Sequence, residues 1–247
     1  MDIDAELDAN LVALTPRLHL LRRPVGHVYL WRDDDGLTLV DTSVPGTGPL
    51  IAAAVRRVGG EVRRIVLTHF HVDHAGAAPE VLEWADPQVC AHRLDAPIIR
   101  GEVPGPRPVL RDWERPLFAQ VAGEGPVHAP VPVRVDRELD DGEILDIGAG
   151  ARVVGAPGHT DGTIVLHFPA ERILLSGDAI ERTPDGQTIA PVFNLDSAKA
   201  AESVRALSKL DFDVLCPAHG EPLAEHADAT VREIVAGLSP VATPPLG

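Results

Sequence analysis

Cysteine is nearly absent from this chain of 247 residues. Cys90 and Cys216 stand far apart, which leaves neither a disulfide framework nor a Cys-x-x-Cys metal clip and points to a reducing compartment. Positive charge is scarce as well. Lysine and arginine total 22 against 37 aspartates and glutamates, a formal net charge of −15. Such a surface lacks the cations that neutralise phosphates, so neither nucleic acid nor an anionic membrane is an expected partner. No apolar run is long enough to span a bilayer, and the opening Met1-Asp2-Ile3-Asp4-Ala5-Glu6 is acidic, without the apolar core of a secretion signal. A soluble cytoplasmic protein with a small-molecule partner is the expectation. Solenoid repeats and low-complexity segments are missing too. With 45% hydrophobic residues the chain can bury one sizeable core, and residues 1–247 are expected to form a single domain.

What the chain does have is histidine and aspartate in one place. Thr68-His69-Phe70-His71-Val72-Asp73-His74-Ala75-Gly76 follows the apolar run Ile65-Val66-Leu67. Neutral imidazole and carboxylate are ligands that zinc and other first-row divalent ions select, and crowding them onto one turn is unfavourable unless a cation orients and neutralises them. In an extended segment His69, His71 and Asp73 share one face, whereas His74 points elsewhere and can serve a second ion. The spacing therefore predicts two neighbouring metals.

In chain order, Leu18 to Leu21, Val25 to Trp31 and Leu37 to Val40 read as strands, the last two joined by a hairpin ending in Asp35-Gly36. A helix follows Pro49, with Leu50, Ile51, Ala54, Val55 and Val58 at helical spacing before Gly59-Gly60. Val62 to Leu67 is a strand, so the histidine motif leaves a strand end, where α/β enzymes keep their chemistry. Ala77 to Trp84 reads as a helix and Gln88 to Ala91 as a strand. From Pro97 to Pro132 prolines are dense and periodicity is lost, which predicts an irregular insertion or lid. Its Trp113 and Phe118 either wall a substrate pocket or form a satellite cluster that anchors the loop. Phe193 and Asn194, further on, are candidates for the same pocket. A second series of strands covers Val133 to Val135, Glu143 to Leu145, Arg152 to Gly155, Thr163 to Phe168 and Arg172 to Leu175. Asp196 or Ser197 caps a helix, Val214-Leu215 is a short strand, and a closing amphipathic helix carries Ala227, Val231, Ile234, Val235 and Leu238 before a Pro-rich tail at 240–246. Of the histidines outside motifs, His19, His27, His92, His128, His167 and His226 read as surface or satisfied core residues, with His128 the one to place relative to the site.

His-x-His-x-Asp-His at 69–74, Pro-Gly-His-Thr at 157–160, Ser-Gly-Asp at 176–178 and Ala-His-Gly at 218–220 all sit at strand ends, and their order resembles the metallo-β-lactamase-fold superfamily along nearly the whole chain. The resemblance implies an α/β fold, a four-layer αββα sandwich of two mixed β-sheets flanked by helices. It also implies that His69, His71 and His159 bind one metal, Asp73, His74 and His219 a second, and that Asp178 bridges them. Asp41 takes the place of a family acidic residue that steadies the ligands. The cofactors implied are two divalent ions, zinc first, with manganese or iron acceptable to the same donors. Two such ions sharing a hydroxide, whose parent water drops in pKa from about 15.7 to about 7, make hydrolysis the natural reaction, with Asp73 orienting the nucleophile and relaying a proton. Bridging Asp178 is similar to the glyoxalase II, lactonase and ester or thioester branch. The chain departs from glyoxalase II in ending soon after His219, and from acyl-homoserine lactonases in having no tyrosine but Tyr29. A mononuclear iron persulfide dioxygenase of the same fold is the alternative reaction class; a β-lactamase, a phosphodiesterase or a degenerate binding module are further alternatives.

Overall fold

The computed structural model describes residues 3–122 and 131–238. Helix α1 (Ile3–Asn10) leads into β1 (Leu11–Ala13), β2 (Leu18–Leu21), β3 (Val28–Arg32) and β4 (Leu37–Val40). Then come α2 (Gly48–Val58), β5 (Val62–Leu67), α3 (Val72–Ala75), α4 (Ala78–Leu82), β6 (Gln88–His92), α5 (Ala96–Ile99), α6 (Glu114–Ala122) and β7 (Arg137–Leu139). The second half runs β8 (Ile144–Leu145), β9 (Ala151–Gly155), β10 (Ile164–Phe168), β11 (Ile173–Gly177), β12 (Glu181–Arg182), β13 (Thr188–Ile189), α7 (Ser197–Leu207), β14 (Val214–Pro217) and α8 (Ala227–Gly237).

The strands sort by sequence half. β1 to β7 lie in order in one sheet, antiparallel up to β4 and parallel from β4 to β7. A second sheet has the order β14-β11-β10-β9-β8, antiparallel except where β11 pairs with β14, and β12 and β13 form a separate two-stranded antiparallel ribbon. Strands buried on both faces read as continuous apolar runs, and alternation then divides each run between two layers. Tyr29, Trp31, Val66 and Leu20 meet Leu166, Phe168, Val153 and Cys216 between the sheets. There the Trp31 and Phe168 rings stack with centroids 4.2 Å apart and planes 17° apart. Val28, Leu30, Ile65 and Leu67 turn the other way, onto Leu50, Ile51 and Ala54 of α2 and Val81 of α4. Val165 and Leu174 of the second sheet meet Val204 and Leu207 of α7 and Val231 of α8. Three apolar layers between four layers of elements make the αββα sandwich that the resemblance implies.

Three expectations are corrected. Val133 to Val135 is not a strand: the Val133 N–H goes to the Ile99 carbonyl and the Asp136 carboxylate takes the Val89 N–H, so the ladder begins only at Arg137. That strand, β7, joins the first sheet rather than opening the second. The Pro-rich segment holds α5 and α6, because Pro97 and Pro116 fall in first turns, where a missing N–H costs nothing. The histidine motif is not extended throughout, since the chain turns helical at Val72 with His71 as N-cap. The expected Asp196 cap is present, its carboxylate accepting from Ala198 N and Lys199 N at 3.0 and 2.9 Å. His128 and the 240–246 tail lie outside the described residues. Among the described residues no helix is long and apolar enough to cross a membrane.

Candidate metal centre

Parallel pairing aligns the C-terminal ends of β4 and β5 on one sheet and of β11 and β14 on the other. Backbone bonds tie these ends together: Ile164 N to Thr68 O at 3.0 Å, Ala218 N to Gly177 O at 3.1 Å and His27 N to Ala218 O at 2.9 Å. Gly177, at φ +48°, lets β11 approach β5 closely, since a Cβ there would stand 2.8 Å from the Thr68 hydroxyl. The loops leaving these ends carry the motif residues into one cluster.

Within it, the helical turn at Val72 parts the motif into two groups. His69 Nε2 and His159 Nε2 lie 2.9 and 3.0 Å from His71 Nδ1. Asp73 instead joins the far side, its Oδ2 3.7 Å from His74 Nε2 and 3.3 Å from His219 Nε2. Asp178 stands between. Its Oδ2 is 3.4 Å from His159 Nε2, and its Oδ1 is 3.3 Å from His74 Nε2 and 3.4 Å from His219 Nε2. His69, His71 and His159 form one set of donors able to hold an ion, Asp73, His74 and His219 another, and His69, His74 and Asp178 a third between them.

The surroundings dictate which nitrogens are bare. Asp41, buried and held at φ +59°, accepts from Thr68 N at 2.7 Å, the Thr68 hydroxyl at 2.7 Å and His74 Nδ1 at 2.8 Å. A carboxylate only accepts, so His74 carries a proton on Nδ1 and turns its other ring nitrogen, Nε2, toward Asp178. With its own proton given to Asp41, the Thr68 hydroxyl accepts from His69 Nδ1 at 3.2 Å, which leaves His69 Nε2 bare. His159 Nδ1 donates to the Val192 carbonyl at 3.0 Å, which bares its Nε2. Lone pairs converging in a dry site repel, and His74 Nε2 and Asp178 Oδ1 are buried with no hydrogen-bond partner. The donor set thus fits divalent cations of the zinc, manganese and iron type.

Of the expected pocket residues, the structure brings none onto the cluster itself. Trp113 is 56% exposed under the Arg111 guanidinium, 4.5 Å from its ring centroid. Phe118 of α6 meets Phe193 edge to face, centroids 5.1 Å apart, and Asn194 is buried with its amide on the Pro191 carbonyl. Phe118 and Phe193 thus form a satellite cluster that anchors the segment. Val109 N donates to Asn194 O and Phe193 N to the buried Glu114 carboxylate, so α6 is strapped to the loop whose Val192 orients His159. His27 is a satisfied core residue, bonded to Arg23 N and Gly220 O.

Some site groups carry no sequence signal. Tyr29 donates from its hydroxyl to Pro217 O at 2.6 Å, steadying the strand before His219. Glu181 accepts from Val192 N, and burial beside Asp178 pushes its carboxyl up to about 8. Asp95, buried beyond β6, bonds both histidine loops.

Known proteins agree with this architecture. The probable metallo-hydrolase YflN of Bacillus subtilis is 29% identical over 226 residues, covering 83% of this chain and 84% of that relative. A hydroxyacylglutathione hydrolase of Cereibacter sphaeroides is 27% identical over 178 residues, covering 71% of this chain and 55% of the relative. A crystal structure of a metallo-beta-lactamase family protein from Thermus thermophilus is 25% identical, covers 91% of this chain and 80% of its own, and superposes with a TM-score of 0.63. The family profile of the metallo-beta-lactamase superfamily matches residues 21–219, most of the chain and every clustered histidine and aspartate from His69 to His219, and the protein belongs to that superfamily.

Proposed function

We propose that this chain is a dinuclear metal-dependent hydrolase of a small carbonyl ester, lactone or thioester. The observation that carries the reading is the stance of Asp178, which turns one oxygen to His159 and the other to His74 and His219. A single ion would engage one side of that carboxylate; donors on both sides suit two. In this reading His69, His71 and His159 hold one ion, Asp73, His74 and His219 the other, and Asp178 joins them. Zinc is the expected metal, with manganese or iron suited to the same donors. When bound, two such ions supply a water-derived nucleophile near neutral pH and polarise the carbonyl under attack.

The protein's own part is orientation and proton transfer. Asp41, Thr68 and the Val192 carbonyl hold the imidazoles with lone pairs inward. Asp73, the more exposed of the two clustered carboxylates, orients the nucleophile and passes its proton to the departing oxygen or sulfur. The hydroxyacylglutathione hydrolase likeness favours an acyl substrate, and the acidic balance favours a small molecule over nucleic acid or membrane.

Elemental mass spectrometry of protein purified without added metal tests this first. Close to two equivalents of zinc, manganese or a mixture per chain is the expected result. Close to one equivalent of iron, with no further uptake when metal is supplied, would instead favour mononuclear sulfur oxygenation. Asp73→Asn should lower kcat at least about 100-fold. Retained turnover would remove Asp73 from the proton-transfer role.

A further inference from the structure

Asp95 belongs to none of the histidine or aspartate motifs, yet it is 1% exposed and lies where β6 gives way to α5. Its place is the N-cap of that helix. An aspartate there ordinarily accepts from the N–H of the second or third helical residue, an interaction worth about 1 kcal/mol. Asp95 makes no such bond. Its Oδ2 accepts instead from Phe70 N at 3.1 Å and from the Thr160 hydroxyl at 2.7 Å, and its Oδ1 from Gly162 N at 2.9 Å.

These three donors come from two loops on different sheets. Phe70 sits between His69 and His71 on the loop after β5; Thr160 follows His159 on the loop between β9 and β10. Thr163 prepares the second loop, its hydroxyl accepting from Thr160 N at 2.9 Å and meeting the Thr160 hydroxyl at 2.8 Å. Gly162 is required by the contact, because a Cβ there would stand 2.5 Å from Asp95 Oδ1. A side chain that forgoes its own helix to join two loops is placed for the loops.

We propose that Asp95 is a positioning residue that sets the separation of His159 from His69 and His71, and through it the affinity and geometry of the ion held by those three imidazoles. This rests on the metal-centre reading above. The distance it governs spans the join between the sheets, where small sliding motions of the layers would otherwise act directly on the donors. Holding donors in place before the ion arrives removes an ordering cost from binding.

The test uses the full-length, metal-free protein titrated with Co(II), whose visible absorption reports ligand geometry, with affinity taken from competition against a chromophoric chelator. Wild type, Asp95→Ala, Asp95→Asn and Thr160→Val are compared. Asp95→Ala should weaken the first equivalent roughly 10- to 100-fold, the range seen when groups that orient metal ligands are removed, and should alter the band shape. Asp95→Asn should recover part of the loss, since its oxygen can still accept while its amide faces the Gly162 N–H. Thr160→Val, which keeps the shape and removes one donor, should show a smaller loss in the same direction. A merely structural role would lower the melting temperature and leave the affinity and spectrum of the folded protein untouched. Wild-type binding in folded Asp95→Ala and Thr160→Val would therefore overturn the proposal alone, and Thr160→Val decides if Asp95→Ala does not fold. Absence of Co(II) uptake by wild type would overturn the metal centre and the proposal together.

Discussion

At the scale of single residues, burial and charge divide the histidines of the centre into two kinds. His69, His71 and His159 are held below the usual imidazole range by burial and by one another, His71 down to about 3, despite the pull of Asp178. Burial acts the same way on His74 and His219, but there the carboxylates of Asp178 and Asp73, with Asp41 beside His74, outweigh it and raise both well above that range. In the metal-free protein near pH 7 the first group offers bare lone pairs and the second is protonated. An ion entering the first therefore displaces no imidazolium proton, whereas one entering the second does, so affinity for the second equivalent rises with pH and affinity for the first stays flat. Calorimetric titration in buffers of different ionisation enthalpy should find about two protons released with the second equivalent and about none with the first. Equal release at both steps would contradict the division. The donors are legible in the sequence because His69 to His74 are local and the remaining loops repeat familiar spacings. Asp95 is not, because its partners lie 25, 65 and 67 residues away and nothing in Leu94-Asp95-Ala96 marks it as more than a helix cap.

Among the elements, α6 is the one tied to the loop that orients His159. It is held by Glu114 and Phe118 against Phe193, next to the residue that orients His159. Phe118→Ala removes an aromatic contact worth about 0.5–1.5 kcal/mol and should loosen this strap. Relative rates across a panel of esters, lactones and thioesters should then shift while metal content per chain stays the same; an unchanged profile would deny the segment a role in selecting substrate. The strands are easy to read where both faces are apolar, as in Val28 to Trp31 or Ile164 to Phe168, because alternation does not have to be resolved to recognise a buried run. Val133 to Val135 has the same apolar look, but its backbone groups are committed to Ile99, a tertiary contact no local pattern encodes. Proline density hides α6 for the opposite reason. Pro116 in a first turn breaks nothing, so a composition that argues against helix is compatible with one.

For the molecule as a whole, the chain lays down the first sheet in residues 11–139 and the second in residues 144–217, passing between them at the exposed Asp140-Asp141-Gly142 turn. The centre is divided by the same boundary, with His69, His71, Asp73 and His74 before it and His159, Asp178 and His219 after it. Fragments ending and beginning at that turn should associate when coexpressed, through the inter-sheet layer around Trp31 and Phe168. Metal should tighten the pair, since an ion bound by donors of both fragments favours the assembled state by mass action. Fragments whose copurification is indifferent to a chelator would argue against donors shared across the boundary. Each half taken alone would lack the donors of the other, so the fold has the layout of a two-piece complementation system, one whose reunion a metal ion would tighten.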